Sequence, residues 1–188
     1  MSSELANTLT VNSLASKITN TAGVQVQKCY QCGKCSAGCP LNEDMDYPPN
    51  LVLRMLQYQD PGMDKKVLQS YAIWLCVACE MCYQRCPMEI DIPSMMDLLR
   101  SESLKNKLTH KKAKPIIAFH QSFLKSIENT GRLHEVGVIM DYKFRTMNLM
   151  QDVAMTPKLM ARGKFHVLAE KIKDLAAMKK IFNRTIHN

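Results

Sequence analysis

Two cysteine-rich segments constrain this chain more strongly than any other feature of its sequence. Residues 29–40 and 76–87 both follow the pattern C-x2-C-x2-C-x3-C-P, and together they contain all eight cysteines. No cysteine is left over for a disulfide or for a nucleophile. Three thiolates within seven residues can converge on one centre, and this spacing is typical of cubane iron–sulfur clusters in which the fourth cysteine of each run crosses to the other cluster.

The spacing therefore predicts two [4Fe–4S] clusters with crossed ligation. The predicted ligands of the first cluster are Cys29, Cys32, Cys35 and Cys86. The predicted ligands of the second cluster are Cys76, Cys79, Cys82 and Cys39. Crossed ligation would join the two motifs into one rigid unit and keep the clusters close, which suits electron transfer.

The residues between the cysteines are expected to adjust the clusters rather than to react. Gly33 eases the backbone past the inorganic sulfides. Backbone N–H groups near the first cluster are expected to donate to sulfide and to raise its potential; these belong to Gly33, Ser36, Ala37 and Gly38. The negative charge of Glu80 is expected to lower the potential of the neighbouring cluster.

Three other interpretations of the cysteines fit the pattern less well. Two structural zinc sites with four cysteines each would also use eight cysteines, but the C-x2-C pairs of zinc sites usually lie far apart in the sequence. A disulfide framework is typical of small secreted domains, and nothing in this sequence indicates secretion. A thioredoxin-like redox site needs one C-x-x-C beside a βαβ pattern. The cluster interpretation is therefore the strongest, and a zinc-stabilised interaction module stays as an alternative.

Helical periodicity dominates the rest of the chain and predicts an all-α fold. A short helix is expected over 12–21, ended by Gly23. In the 36 residues between Cys39 and Cys76, a helical face follows Pro48 and is broken at 60–62. Asp64 is expected to cap a second helix that continues up to Cys76. A further helix, with Pro93 at its first position, is expected to reach about Leu108.

Charged residues 110–115 mark the expected boundary of a C-terminal extension. The predicted parts are an N-terminal segment 1–28, a di-cluster domain 29–109 and a basic helical extension 110–188 for docking to other subunits. In the extension, one helix is expected to end at Gly131 and a short piece to run from Pro157 to Gly163. The last helix is predicted from apolar residues at helical steps, which are Phe165, Leu168, Ile172 and Leu175.

Composition and charge restrict the function classes. Residues 1–100 carry eight Lys/Arg and ten Asp/Glu, whereas residues 101–188 carry seventeen and seven, so the basic excess lies in the second half. The lysines are not interleaved with aromatic residues, and no nucleic-acid-binding motif is present. No membrane-spanning stretch, signal peptide or nucleotide-binding loop is seen either. The five histidines form no i, i+4 pair. We therefore expect a cytoplasmic protein with no catalytic residues, no nucleic acid and no membrane.

Two such motifs around a helical interval resemble the α-helical ferredoxin fold. Through the segments 28–40 and 74–87, the chain resembles the C subunit of heterodisulfide reductase from methanogenic archaea. The resemblance is strongest over residues 29–100 and weak over the C-terminal tail. Unlike the iron–sulfur subunits of succinate dehydrogenase, the chain has no plant-type [2Fe–2S] domain. The resemblance implies an α-helical ferredoxin domain with two [4Fe–4S] clusters and a C-terminal helical extension.

The resemblance also implies a function and partners. In that family, the C subunit relays electrons from the flavin-containing A subunit to the B subunit, which reduces the CoM-S-S-CoB heterodisulfide in methanogenesis. A hydrogenase or formate dehydrogenase would be attached indirectly, in a doubled hetero-oligomer within an anaerobic cytoplasm. An iron–sulfur relay subunit of a related quinone- or thiol-linked oxidoreductase is the alternative.

Overall fold

The computed structural model describes residues 13–148 and 169–185. Over these ranges the chain is helical and contains no strand, so the all-α prediction is confirmed. Two compact units divide the chain, residues 1–113 and 114–188. The predicted three-part division, with boundaries after residues 28 and 109, stays a prediction.

Over its described residues, 13–113, the first unit has seven α-helices, most of them short. They are α1 Leu14–Ala22, α2 Lys34–Ala37, α3 Pro49–Gln57, α4 Pro61–Leu68, α5 Ala72–Leu75, α6 Met81–Gln84 and α7 Ile92–Lys105. Short 3-10 turns lie at Val26–Lys28, Asn42–Asp44 and Lys111–Ala113. The expected stop at Gly23 is confirmed, because this residue adopts a left-handed conformation (φ 69°) directly after α1.

The hydrophobic core of the first unit joins α1, α3, α4 and α7. Apolar faces of these helices bury side chains almost completely, as expected for helices too short to be stable alone. The largest buried apolar side chains are Ile18, Val26, Val52, Leu53, Leu56, Val67, Ile73, Ile92, Met95, Met96 and Leu99.

Helix capping in the first unit differs from the prediction at Asp64. The cap of α4 is Asp60, whose carboxylate accepts from the Met63 N–H at 2.9 Å, with Pro61 at the first helical position. Asp64 instead accepts from the Leu14 N–H at 2.9 Å and so caps α1, fifty residues away. The predicted continuous helix to Cys76 is also wrong: it is interrupted between Leu68 and Ala72, where Asp46 receives the N–H groups that begin α5.

The second unit contains α8 Lys114–Thr130, α9 Glu135–Thr146 and α10 Leu175–Thr185. The expected stop of α8 at Gly131 is confirmed, since its φ is 78°. The predicted last helix is wrong for residues 169–174, which are not helical. The Ile172 N–H bonds to the Thr130 carbonyl at 3.0 Å, and Asp174 accepts from the Ala177 N–H to start α10. Phe165, Leu168 and the piece from Pro157 to Gly163 lie outside the described residues.

Small side chains occupy the buried face of α8. The buried residues of this helix recur every four positions and are Ala118, Ser122, Ser126 and Thr130. This stripe lets α8 and α9 pack closely, and Val138 is the buried residue of α9. Several large apolar side chains of both helices consequently remain exposed, among them Phe119, Leu124, Met140 and Phe144.

Candidate metal centre

The two cysteine motifs have the same backbone conformation. In each, the residue before the second cysteine has a positive φ, 63° at Gln31 and 51° at Ala78. The residue after the second cysteine is also left-handed, with φ 76° at Gly33 and 61° at Glu80. A four-residue helix follows directly in both motifs and carries the third cysteine. These turns fold each C-x2-C-x2-C run into a tight curl.

The burial of the thiols repeats between the motifs as well. The second cysteines, Cys32 and Cys79, are exposed, whereas the third cysteines, Cys35 and Cys82, are buried. Burial raises the pKa of Cys35, and burial followed by the charge of Cys76 raises the pKa of Cys82 to about 11. Such a thiol holds its proton at neutral pH until a cation replaces it, as metal binding does.

Four cysteines line a small cavity between the motifs. They are Cys76, Cys79 and Cys82 from the second motif and Cys39 from the first. The rest of the lining is apolar and comprises Pro40, Leu41, Met45, Pro49, Val77, Ile92, Pro93 and Met96. Four thiols around an otherwise apolar cavity fit a cubane cluster, which takes one thiolate at each iron.

Tyr30 lies among cysteines of the other predicted set. Its hydroxyl hydrogen-bonds with the Cys32 side chain, and desolvation followed by Cys32, Cys86 and Cys29 raises the pKa of this phenol. The Cys29 sulfur also accepts from Gln31 Nε2 at 3.3 Å, and the Cys86 sulfur from the Ile90 N–H at 3.4 Å. Cys86 of the second motif is thus near cysteines of the first.

In the described residues no three His, Cys, Asp or Glu side chains are grouped to hold a single metal ion. A cubane cluster, in contrast, binds its thiolates on separate irons.

The motif helices α2 and α6 contact each other. At this contact the Arg85 side chain lies over Gly38, so that a Cβ at Gly38 would be 2.6 Å from Arg85 Cδ. Gly38 and Arg85 occupy equivalent positions, each directly before the fourth cysteine of its motif. The two motifs therefore pack as related halves with a small residue facing a large one.

A side chain from the following long helix supports the entry to each motif. Gln57 at the end of α3 donates through Nε2 to the carbonyls of Val26 (3.1 Å) and Cys29 (2.6 Å). Arg100 of α7 donates through Nε to the Ile73 carbonyl at 2.5 Å and through Nη2 to the Cys76 carbonyl. In both halves the accepting carbonyls belong to the first cysteine and to the residue three positions before it.

The sequence located the cysteines but not the side chains that support them. The Ser36 and Ala37 N–H groups donate to the Gly33 carbonyl, and the Gly38 N–H donates to the Lys34 carbonyl, so these amides take part in helix α2. Their donation to sulfide stays a prediction. The N–H groups that do shift the thiol pKa values include those of Ala78 beside Cys76 and Tyr83 beside Cys82. Gln57 and Arg100 were missed, because they act over 24 or more residues of sequence.

Comparison with known proteins identifies the class of this site. Residues 25–90 match the family model of the 4Fe–4S dicluster domain. This range contains both cysteine motifs, α3, α4, α5 and α6. The prediction of 4Fe–4S clusters is thereby supported at the level of the domain.

The relatives of this region are named as heterodisulfide reductase subunits. It is 35% identical over 82 residues to the iron–sulfur C subunit of the CoB–CoM heterodisulfide reductase of Methanopyrus kandleri, covering 44% of this chain and 41% of the relative. It is 38% identical over 76 residues to the iron–sulfur subunit numbered C 2 from Methanocaldococcus jannaschii, covering 40% and 39%. For the C subunit of the H(2):CoB-CoM heterodisulfide,ferredoxin reductase of Methanothermobacter thermautotrophicus, identity is 29% over 89 residues, covering 47% and 46%.

The predicted resemblance to the C subunit of heterodisulfide reductase is confirmed over the cysteine-rich part of the chain. These relatives are subunits of an oxidoreductase complex. The chain spans less than half the length of each of these three relatives. Among the described residues, no helix has the length and apolar character needed to cross a membrane.

Proposed function

We propose that this chain is an electron-transfer subunit that binds two [4Fe–4S] clusters. Cys76, Cys79, Cys82 and Cys39 would bind one cluster, and Cys29, Cys32, Cys35 and Cys86 the other. The cavity that Cys39 shares with the three cysteines of the second motif carries this proposal. Bound clusters supply one-electron carriers, and the contact between α2 and α6 holds the two sets of cysteines side by side.

The proposed complex is a cytoplasmic heterodisulfide reductase. The names of the relatives support the role of a C subunit in a heterodisulfide reductase. In that complex the chain would relay electrons from the flavin-containing A subunit to the B subunit, which would reduce CoM-S-S-CoB. A hydrogenase or formate dehydrogenase would be the distant electron source in a doubled assembly. No catalytic residue is assigned to this chain, because its part is to hold and separate the electron carriers.

The second unit is proposed to dock another member of that complex. Met140 and Phe144 lie one helical turn apart on α9 and are 51% and 62% exposed. On α8, Phe119 and Leu124 are 48% and 42% exposed, while small residues fill the buried face. Exposed large apolar side chains are a common feature of protein–protein contacts.

Cluster content and ligand exchange test the cofactor part of this proposal. Protein purified without oxygen is expected to contain iron and acid-labile sulfide for two clusters and to show reducible paramagnetic signals. Cys39→Ser should damage the cluster associated with the second motif, and Cys86→Ser that of the first. If each substitution instead harmed the cluster of its own motif, ligation would not be crossed. Zinc without a reducible signal would leave a zinc-stabilised interaction module.

Co-purification tests the partner part. The expected result is that the tagged chain recovers two other proteins, one that contains flavin and one that reduces the heterodisulfide. Recovery of a membrane cytochrome would instead indicate a quinone-linked relay, which the cluster analysis alone would not distinguish.

A further inference from the structure

The supports of the two cysteine motifs are matched in position but not in charge. Gln57 and Arg100 each bridge the carbonyl of a first cysteine and the carbonyl three residues earlier. Gln57 is neutral, whereas an arginine keeps its positive charge at every physiological pH. The two halves therefore differ by one charge at equivalent places.

The Arg100 charge is held close to the second set of cysteines. Its guanidinium is hydrogen-bonded to the backbone carbonyl of Cys76, and its side chain is only 17% exposed. Charges shielded from water act over longer distances than exposed ones, because the effective dielectric constant is lower.

Other charges near the motifs are better screened. Lys28 and Lys34 of the first motif and Glu80 of the second are exposed to water. Arg54, which hydrogen-bonds to Gln57 Oε1 at 3.4 Å, is also exposed and lies one side chain further from the Cys29 carbonyl. Asp97 pairs with Arg100 at 2.9 Å and partly offsets its charge, but Asp97 is 65% exposed.

We infer that Arg100 raises the reduction potential of the cluster bound by Cys76, Cys79, Cys82 and Cys39. Because the neutral Gln57 occupies the equivalent position in the other half, the two clusters differ in reduction potential. Reduction adds one electron and no atom to the cluster, so its charge becomes more negative. A nearby fixed cation stabilises that reduced state. This inference rests on the proposed binding of two clusters.

Arg100→Gln removes the positive charge and introduces glutamine, the residue that Gln57 provides at the equivalent position of the other half. Potentiometric titration of the whole protein, followed by electron paramagnetic resonance, measures both clusters. The paramagnetic signal that Cys79→Ser alters belongs to the cluster near Arg100. At a fixed potential, Arg100→Gln is expected to lower its reduced-to-oxidised ratio about tenfold, which equals about 59 mV for one electron. The other cluster should change much less.

Three further variants separate charge from structure. Arg100→Lys keeps the charge but not the guanidinium, so it should retain most of the wild-type potential. Asp97→Asn removes the offsetting carboxylate and should shift the potential upward. Arg54→Gln, an exposed arginine beside the other half, is the matched control and should leave both potentials nearly unchanged.

The outcomes distinguish this inference from the proposed function. An unchanged potential in Arg100→Gln with full cluster content overturns the inference, as does an equal drop in Arg100→Lys. If Arg100→Gln loses the cluster near Arg100, the Asp97→Asn variant provides the test. A reduction potential that does not rise in Asp97→Asn overturns the inference. A wild-type protein without two reducible clusters overturns the proposed function itself.

Discussion

At the scale of single residues, Glu80 occupies a backbone conformation that its equivalent Gly33 adopts without strain. Both are left-handed, with φ 61° and 76°, and each precedes the helix that carries the third cysteine. A residue with a Cβ is disfavoured there by about 1–2 kcal/mol. The second motif thus carries a local strain that the first one lacks.

Glu80→Gly is therefore expected to stabilise the second motif by about 1 kcal/mol. Gly33→Ala should destabilise the first by a similar amount; a Cβ at Gly33 would meet no atom within 4 Å, so the effect reports φ alone. The measurement is the denaturant midpoint at which visible cluster absorbance is lost. Glu80→Gln removes the charge but keeps the backbone strain. If Glu80→Gln stabilised the motif as much as Glu80→Gly does, strain would not be the explanation.

The sequence predicted these residues unequally. Gly33 stands out because glycine marks a left-handed turn. Glu80 carries no such signal, although superposing the two repeated motifs places it at the same position. Arg100 and Gln57 lie in ordinary helical patterns, and only their hydrogen bonds to distant carbonyls identify their role.

At the scale of helices, α1 and α7 are joined by a partly buried ion pair. Lys17 Nζ lies 2.5 Å from Glu102 Oε2, and Glu102 is only 4% exposed. Burial disfavours the ionised carboxylate, but Lys17 and Lys105 outweigh this effect and lower the pKa of Glu102. The stabilisation is therefore complete above the ordinary glutamate pKa of about 4.3 and is lost as the pH falls through the lowered value.

Glu102→Gln is expected to reduce the free energy of unfolding at pH 7 by about 1–2 kcal/mol. In a double-mutant cycle, Lys17→Met should show the larger coupling to Glu102. The matched comparison is Lys105→Met, because its Nζ lies 3.3 Å from Glu102 and its side chain is 67% exposed. Denaturant unfolding followed by circular dichroism gives the values, and equal coupling for both lysines would contradict the geometry.

The C-terminal end of α8 depends on the absence of a side chain at Gly131. Its φ is 78°, and a Cβ there would lie 2.3 Å from Ile172 Cδ1. Gly131→Ala should thus destabilise the second unit more than Gly23→Ala destabilises the first, because Gly23 (φ 69°) has no atom within 4 Å of its Cβ position. Adding Ile172→Ala should recover part of the loss. Hydrogen exchange of the α8 and α9 amides measures this loss of stability. If Ile172→Ala recovers none of it, the destabilisation comes from the backbone φ at residue 131 and not from the clash with Ile172.

Helix existence was predicted better than helix connections. Gly23 and Gly131 ended helices as expected, because a left-handed glycine is a local signal. Asp64 was assigned to its own helix, although it caps α1 from fifty residues away. The bond from Ile172 to Thr130 likewise replaces helix where apolar spacing predicted one. Such partners are set by packing, which periodicity does not describe.

At the scale of the whole molecule, cluster binding and docking are expected to be separable. Met140→Glu/Phe144→Glu should leave the contents of iron and sulfide unchanged but reduce co-purification of partner proteins at least tenfold, since two charges would have to be desolvated in an apolar contact. Lys180→Glu on α10 makes the same change in net charge at an exposed position and is the matched control. Equal loss in the control would indicate a contact governed by charge.

The facing pair of Gly38 and Arg85 bears on why the repeat is contained in one chain. Two identical halves, assembled as a homodimer, would oppose arginine to arginine or glycine to glycine at this point. Like charges would repel in the first case, and a gap would open in the second. A fused duplication is free of that restriction, because each copy can change independently of the other. The same freedom allows equivalent support positions to hold glutamine in one half and arginine in the other.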